Sequence, residues 1–528
     1  MGNWPTLYPN VVVLSLMDLK MKKKRFSDFL NRLSTRTLNQ IERIGNKLPH
    51  PATLFALLAV LVVFLSGIIS RMGISAIHPG TGETILPISL LNADGFRYMY
   101  TEATKHFVHF PPLGIVLIAT LGIGLADGSG LLNAVLKHMV LTSPKRLVTA
   151  AVITAGILSH LASAAGYVVL IPLGALIFAA FGRHPLAGLA AAFAGVSGGY
   201  GANFLIGAID PVLSGLTQSA AEFVDPAIRI NPTVNFYFMF ISAILMILAG
   251  TWVTEKIVEP RLGAYEGSAD TAEPLSKTEK RGLIWAGVSI LIVVGLFLLF
   301  TLPSNGLLRD PETGSLVHSP FMSGIITAVL ILFFIPGLVY GLVTGSVRSD
   351  KDAFKHMSGS IKGLAGYIVL VFFAAQFVYL FKESNMGVLL AIKGAEWLKA
   401  VGFTGIALFI AFVLVSAFIN LFVGSASAKW AIMAPIFVPM FMLLGYHPGI
   451  TQAAYRIGDS VTNIITPMMS FFALIVAFAQ KYDEKAGIGT LVAMMLPYSV
   501  AFFIMWTVLL MVWMLLGLPT GPGAPLAI

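Results

Sequence analysis

Apolar stretches of about twenty residues recur along this 528-residue chain, separated by short loops that carry most of its Lys and Arg. A helix of that length crosses the hydrocarbon layer of a bilayer. Inside lipid the backbone must satisfy its own hydrogen bonds, so the runs dictate membrane helices. Composition agrees, with 57% hydrophobic and 11% charged residues against roughly 25% charged in a soluble domain. The net charge of +9 is no nucleic-acid signal, because the basic residues sit where the positive-inside rule puts them. Without cysteine there is no disulfide, thiolate metal site or cysteine nucleophile.

Loop charges divide the chain. Residues 1–50 read as a cytoplasmic N-terminal extension without a convincing cleavable signal. Residues 51–111 hold a first span and a polar external loop, and 112–224 a first repeat with hairpin and broken helix. Residues 225–362 hold spans and a cytoplasmic linker, 363–479 a second repeat, and 480–528 the last span and an external C-terminus. Continuous spans are expected at about 52–72, 112–128, 235–255, 282–302, 320–345, 363–382 and 487–516. Two further spans read as broken, one at 186–224 with its break at Gly195–Gly201, the other at 449–479 interrupted near Gly458–Pro467. The legs 146–160 and 166–181 flank a polar patch of Ser159, His160, Ser163 and Gly166, and read as a re-entrant hairpin. Legs 402–420 and 430–444 form a second, with its tip at Gly424–Lys429. The fold class is therefore an all-α polytopic membrane protein, with about nine transmembrane helices, two re-entrant hairpins and inverted repeats.

The repeat is visible directly. Pro172, Gly182, His184, Pro185 and Gly195 recur as Pro435, Gly445, His447, Pro448 and Gly458, at a constant spacing of 263. Ala164 then maps to Ser427 and Asn203 to Thr466. Upstream, Asp127–Leu132 resembles Glu383–Leu389 at a spacing of 257, matching Gly130 to Gly387. The first copy starts outside and the second inside, so the copies are inverted, as in secondary transporters whose broken helices meet at midplane.

Polar residues concentrate between Asn420 and Ser470. Ionisable groups at membrane depth are costly and mark function by default. Arg456 offers a fork of donors to a carboxylate or sulfonyl group. The alternative is an ion pair with Asp459, three residues on. Asp459 suits a coupling ion or proton, and Asn420 can add a neutral oxygen, which makes the two candidate sodium ligands. Trp430 can stack on an aromatic ring or pack. Ser427 and Ser425 bond substrate or cap backbone, and Asp210 is a carrier or a vestibule carboxylate. Pro448 and Pro467 shape helix start and break. Lys429 faces away from the site or alters its selectivity. His184 and His447 read as structural turn residues. Gly195–Gly199 also satisfies G-x-S-x-G, but an intramembrane serine protease using Ser197 needs a paired histidine, and neither His160 nor His184 is placed there by the sequence.

Gly424–Trp430, Ala434–Phe441 and Tyr455–Ser460 resemble the AbgT family of bacterial p-aminobenzoyl-glutamate transporters and MtrF-type efflux proteins. The resemblance runs from Glu42–Asn46 to Gly517–Gly523. It implies no enzyme and no cofactor, but a homodimer in the bacterial inner membrane that couples Na⁺ or H⁺ to the movement of folate-related aromatic acids or sulfonamides. Carried over by motif, the important positions are Asp210, Asn420, Ser427, Trp430, Pro448, Arg456, Asp459 and Pro467.

Overall fold

The computed structural model describes residues 49–77, 82–161, 166–265, 274–316 and 319–528. The N-terminal extension up to residue 48, Ser163 and Ala164 lie outside the described residues. The order opens with α1 Pro51–Ile69, the paired strands β1 Ala76–Ile77 and β2 Thr84–Ile85, α2 Ala93–Val108, α3 Pro111–Gly128 and α4 Leu131–Leu141. Then come α5 Val148–Leu158, a π-helical turn Gly166–Leu170 leading into α6 Ile171–Ala180, α7 Pro185–Phe193 with its π-helical end Ala194–Gly198, and α8 Ile209–Ala221. The middle holds α9 Phe236–Val253, α10 Glu259–Leu262, α11 Lys277–Thr301, α12 Pro320–Ser323, α13 Ile325–Thr344 and α14 Asp350–Gly363. The rest is α15 Ala365–Glu383, α16 Met386–Ala400, α17 Gly405–Asn420, α18 Ala426–Met442, α19 Pro448–Asn463, α20 Phe472–Gln480 and α21 Ile488–Leu515.

Seven helical stretches among the described residues are long and apolar enough to cross a membrane: Pro51–Ile69, Ala93–Gly128, Phe236–Leu262, Lys277–Thr301, Ile325–Thr344, Ala365–Glu383 and Ile488–Leu515. They match the seven expected continuous spans. The segment 73–111, expected as a polar loop, carries the short strands and the 16-residue helix α2, which Asn92 caps by accepting from the Gly95 N–H at 2.7 Å.

The repeat reappears in the element boundaries. α7 starts at Pro185 and α19 at Pro448, while α8 starts at Ile209 and α20 at Phe472, each pair 263 apart. The turns before α7 and α19 are copies of each other. Gly182 and Gly445 adopt φ 72° and 91°, a region open to glycine at no steric cost. The next residue of each turn closes the preceding helix, Arg183 N–H to Phe178 O at 2.8 Å and Tyr446 N–H to Phe441 O at 3.0 Å, as helix C-caps do. His184 and His447 then cap the following helices, their Nδ1 atoms accepting from Leu186 and Gly449. Upstream, the left-handed residues opening α4 and α16 are Gly130 and Asn385. Gly130 therefore corresponds to Asn385, not to Gly387.

Two further expectations shift. The second hairpin turns at 421–425, and Lys429 lies within α18. Ser425 is its N-cap, accepting from Ala428 N–H, and no breaker follows before Pro435. Gly458 is no break either: α19 runs unbroken to Asn463 and the interruption is 464–471. Gly458 serves close approach instead. A Cβ there would lie 2.5 Å from both Ser416 Cβ and Val413 O on α17.

Helices α3, α11, α13 and α14 pack together as one flank, and α1, α2 and α15 as another. The main core joins the hairpins and interrupted spans.

Gly458→Val therefore overpacks the α17–α19 contact and lowers stability by about 1–3 kcal/mol. Gly287→Val, on α11 with nothing within 4 Å of its Cβ direction, leaves the unfolding midpoint of the detergent-purified protein unchanged. Equal midpoints for the two variants would contradict the close approach.

Candidate functional site

The break of the first interrupted segment touches α19 of the second. Gly201 N–H donates to Ser460 Oγ at 2.7 Å. Tyr167, from the π-helical turn of the first hairpin, stacks on Phe471 at the end of the second break, with centroids 4.4 Å apart and planes 11° apart. On the other side α18 packs against α8. Each hairpin thus meets the interrupted span of the other repeat.

Two buried ion pairs stand at this crossing. The Arg456 guanidinium binds Asp210 Oδ1. Asp210 Oδ2 also accepts from Gly207 N–H at 2.6 Å, in the loop that leads into α8. The pair therefore ties α19 of the second repeat to the break of the first. Arg456 also donates to Gly201 O at 3.4 Å and contacts Met239 Sδ, while its Nε has no partner. Asp210 occupies no water-filled vestibule, since its side chain is 3% exposed. The alternative Arg456–Asp459 pair does not form. Each residue finds its counter-charge on a different neighbouring element.

Asp459 Oδ1 instead accepts from the Lys429 ammonium, which also donates to Asn420 Oδ1. The Asn420 amide nitrogen faces Asp459 O at 2.6 Å, Thr462 Oγ1 at 2.8 Å and Asn463 Oδ1 at 2.8 Å. Lys429 does not face away: its side chain is fully buried. Asn420 Oδ1 and Asp459 Oδ1, oxygens anticipated as sodium ligands, both accept from this ammonium.

Trp430 is fully buried. Its Nε1–H donates to Thr217 Oγ1 at 2.9 Å, and its ring stacks on Tyr455 with centroids 4.5 Å apart. Tyr455 O–H donates to Ala426 O at 2.5 Å. Pro448 is buried at the first position of α19, and Pro467 is half-buried in the break. Ser197 is bonded to Tyr167 O–H at 3.3 Å and to Met469 Sδ at 3.2 Å. Neither partner is a base, so nothing here activates a serine nucleophile.

A cavity of about 290 Å³ opens where the repeats meet, lined by Tyr167, Tyr200, Ser425, Ser427, Asn463 and Phe471 among others. A second, of about 850 Å³, shares Ser427 and Ile209 with it and extends past Asp127, His356 and Tyr367 along α3 and α14. Ser427 thus stands at the junction of the two. The aromatic walls Tyr167, Tyr200 and Phe471 escaped the sequence reading. Their signal was available, since Tyr167 is the repeat counterpart of Trp430 and Tyr200 lies within the glycine-rich break.

A family model for the AbgT putative transporter family matches residues 36–528. The chain belongs to this family. It is 40% identical over 484 residues, 92% of this chain and 95% of the relative, to the p-aminobenzoyl-glutamate transport protein of Escherichia coli (strain K12). Among solved structures it is similar to the YdaH transporter of Alcanivorax borkumensis, with TM-score 0.86, 45% identity and coverage of 90% of this chain and 100% of that one. It is similar also to MtrF of Neisseria gonorrhoeae, described with a class of antimetabolite efflux pumps, with TM-score 0.88, 49% identity and coverage of 93% and 100%. The family and these relatives are transporters, not enzymes, and the chain is a multi-pass membrane protein of that kind.

Arg456→Gln leaves Asp210 buried and unpaired, a loss of about 3–5 kcal/mol. Asp210→Asn combined with Arg456→Gln restores most of it, because no charge is left alone. A double-mutant cycle on unfolding midpoints measures the coupling, and additive effects would exclude the pair.

Proposed function

We propose that this chain is an ion-coupled secondary transporter of p-aminobenzoyl-glutamate-like aromatic acids and sulfonamide-type antimetabolites. The observation that carries this reading is the cavity of about 290 Å³ between the repeats, with aromatic walls and a polar rim of Ser425, Ser427 and Asn463. Tyr167, Tyr200 and Phe471 suit a flat ring. The serine hydroxyls and the Asn463 amide suit the oxygens of a carboxylate or sulfonyl group, the few convergent polar groups that fix a ligand's orientation. Arg456, which bonds Gly201 next to the wall residue Tyr200, is the cation for an acidic substrate, and Asp210 is the group that such a substrate would displace from it. Trp430 and Pro448 hold α18 and α19 in place, and Pro467 holds the break.

On this reading the chain sits in the bacterial inner membrane as a homodimer, with nine crossings and two re-entrant hairpins per subunit. Its N-terminus faces the cytoplasm and its C-terminus the periplasm. Coupling draws on a proton or sodium gradient, and the repeats rearrange about their crossing to alternate access. A second reading is uptake of p-aminobenzoyl-glutamate alone, its substrate taken from the name of the Escherichia coli relative. The 49% identity to MtrF favours export. Both directions use the same cavity.

Reconstituted protein in liposomes, given separate Na⁺ and H⁺ gradients, is expected to move p-aminobenzoyl-glutamate and sulfonamides with one of them. Tyr167→Ala raises KM up to about tenfold, the equivalent of an aromatic contact of ~0.5–1.5 kcal/mol. Flux that ignores both gradients would sink the coupled reading, and an unchanged KM would remove Tyr167 from the site.

A further inference from the structure

The surroundings of Lys429 are those of a cation site. Asn420 is the last residue of α17 and Asn463 the last of α19, and the two are joined by the Asn420 amide. Two helix C-termini, the negative ends of their dipoles, therefore converge here. Asp459 adds a full negative charge and Asn420 Oδ1 a neutral oxygen. The Asn420 amide group is oriented by its three acceptors in α19, so that its oxygen is left facing the ammonium. Carbonyl ends of broken helices with a nearby carboxylate are how such folds hold a small monovalent cation.

The ammonium that fills this place comes from an unfavourable position. Lys429 lies in the first turns of α18, four residues after its N-cap Ser425. A cation near the positive end of a helix is disfavoured, and burial of its side chain removes water as compensation. What holds the charge there is the set of oxygens from α17 and α19.

We propose that Lys429 is a tethered cation standing in the position of a coupling sodium ion. The site has room for one positive charge and the chain supplies it, so no sodium binds between Asn420 and Asp459. Removing the ammonium opens a sodium site built from the same oxygens. The consequence for coupling rests on the transporter reading: the gradient used is then not sodium acting here. The occupancy itself does not depend on that reading.

The test is therefore a binding measurement on the purified full chain, without transported substrate. Unfolding midpoints are recorded during titration with sodium chloride, against N-methyl-D-glucamine chloride at equal ionic strength. Wild type is expected to show no sodium-specific shift. Lys429→Ala is expected to unfold earlier in N-methyl-D-glucamine and to gain a saturable upward shift with sodium, which Asp459→Asn added to it abolishes. A saturable sodium shift in wild type that Asp459→Asn removes would overturn the proposal. So would a folded Lys429→Ala that gains no shift with sodium. Should Lys429→Ala fail to fold, Lys429→Met preserves the packing of the stem and is read in the same way. The wild-type titration decides without either variant: a sodium shift dependent on Asp459 overturns, and its absence supports. Loss of p-aminobenzoyl-glutamate transport in liposomes would defeat the substrate reading and leave these results standing.

Discussion

A charge shut away from water needs a counter-charge within reach, because each buried ion costs several kcal/mol to desolvate. The crossing of the two repeats obeys this with two cations and two carboxylates: Arg456 with Asp210, and Lys429 with Asp459. The first pair spans the repeats and holds α19 against the loop before α8. The second closes within one repeat and holds α18 against α17 and α19. The four charges sum to zero. An anionic ligand that reaches Arg456 therefore upsets the balance unless it replaces Asp210 or arrives with a cation. Any coupling at this site grows out of that arithmetic, since a ligand charge must be matched by a second charge that moves or exchanges.

The repeats share their backbone devices and differ in their chemistry. Both have the glycine turn, the histidine cap and the interrupted span. The first repeat keeps small residues and π-helical turns at Gly166–Leu170 and Ala194–Gly198, a form of helix found at functional sites and local irregularities. Its Gly201 offers both backbone groups to the second repeat, N–H to Ser460 and C=O to Arg456. A side chain at Gly201 would stand 2.7 Å from Ser460 Oγ. The first repeat is thus thin where the second is charged, and the charged face of α19 sits against its bare backbone.

The features legible in the sequence were those with a local cause. Span length follows from hydropathy, and the 263-residue spacing follows from Gly and Pro, whose backbone demands do not depend on distant contacts. The turn at Gly445-Tyr446-His447-Pro448 was therefore readable. Gly458 was misread because a helix-breaking glycine and a close-packing glycine look alike until the neighbour is known, and here the neighbour is Ser416, 42 positions earlier. Arg456 and Asp459 were recognised as site residues, but their partners were not. Three-residue spacing suggested that they pair with each other, whereas the partners lie 246 and 30 positions away. Lys429 was the most underrated residue. The sequence left it either facing away from the site or altering its selectivity, and only the convergence of α17 and α19 shows where its ammonium goes.

That convergence also joins the cavity to the charges. Ser427 lines both cavities, and Lys429 follows it by two residues on the same turn of α18. Asn463, on the opposite wall, is bonded to Asn420, the second acceptor of the ammonium. A ligand wedged between Ser427 and Asn463 therefore presses on the supports of Lys429 from two sides. Packed interiors respond to such pressure by shifting elements as units, because they have little free volume to absorb it. On the proposed reading, substrate and internal cation share one turn of helix and are linked through the Asn420–Asn463 bond.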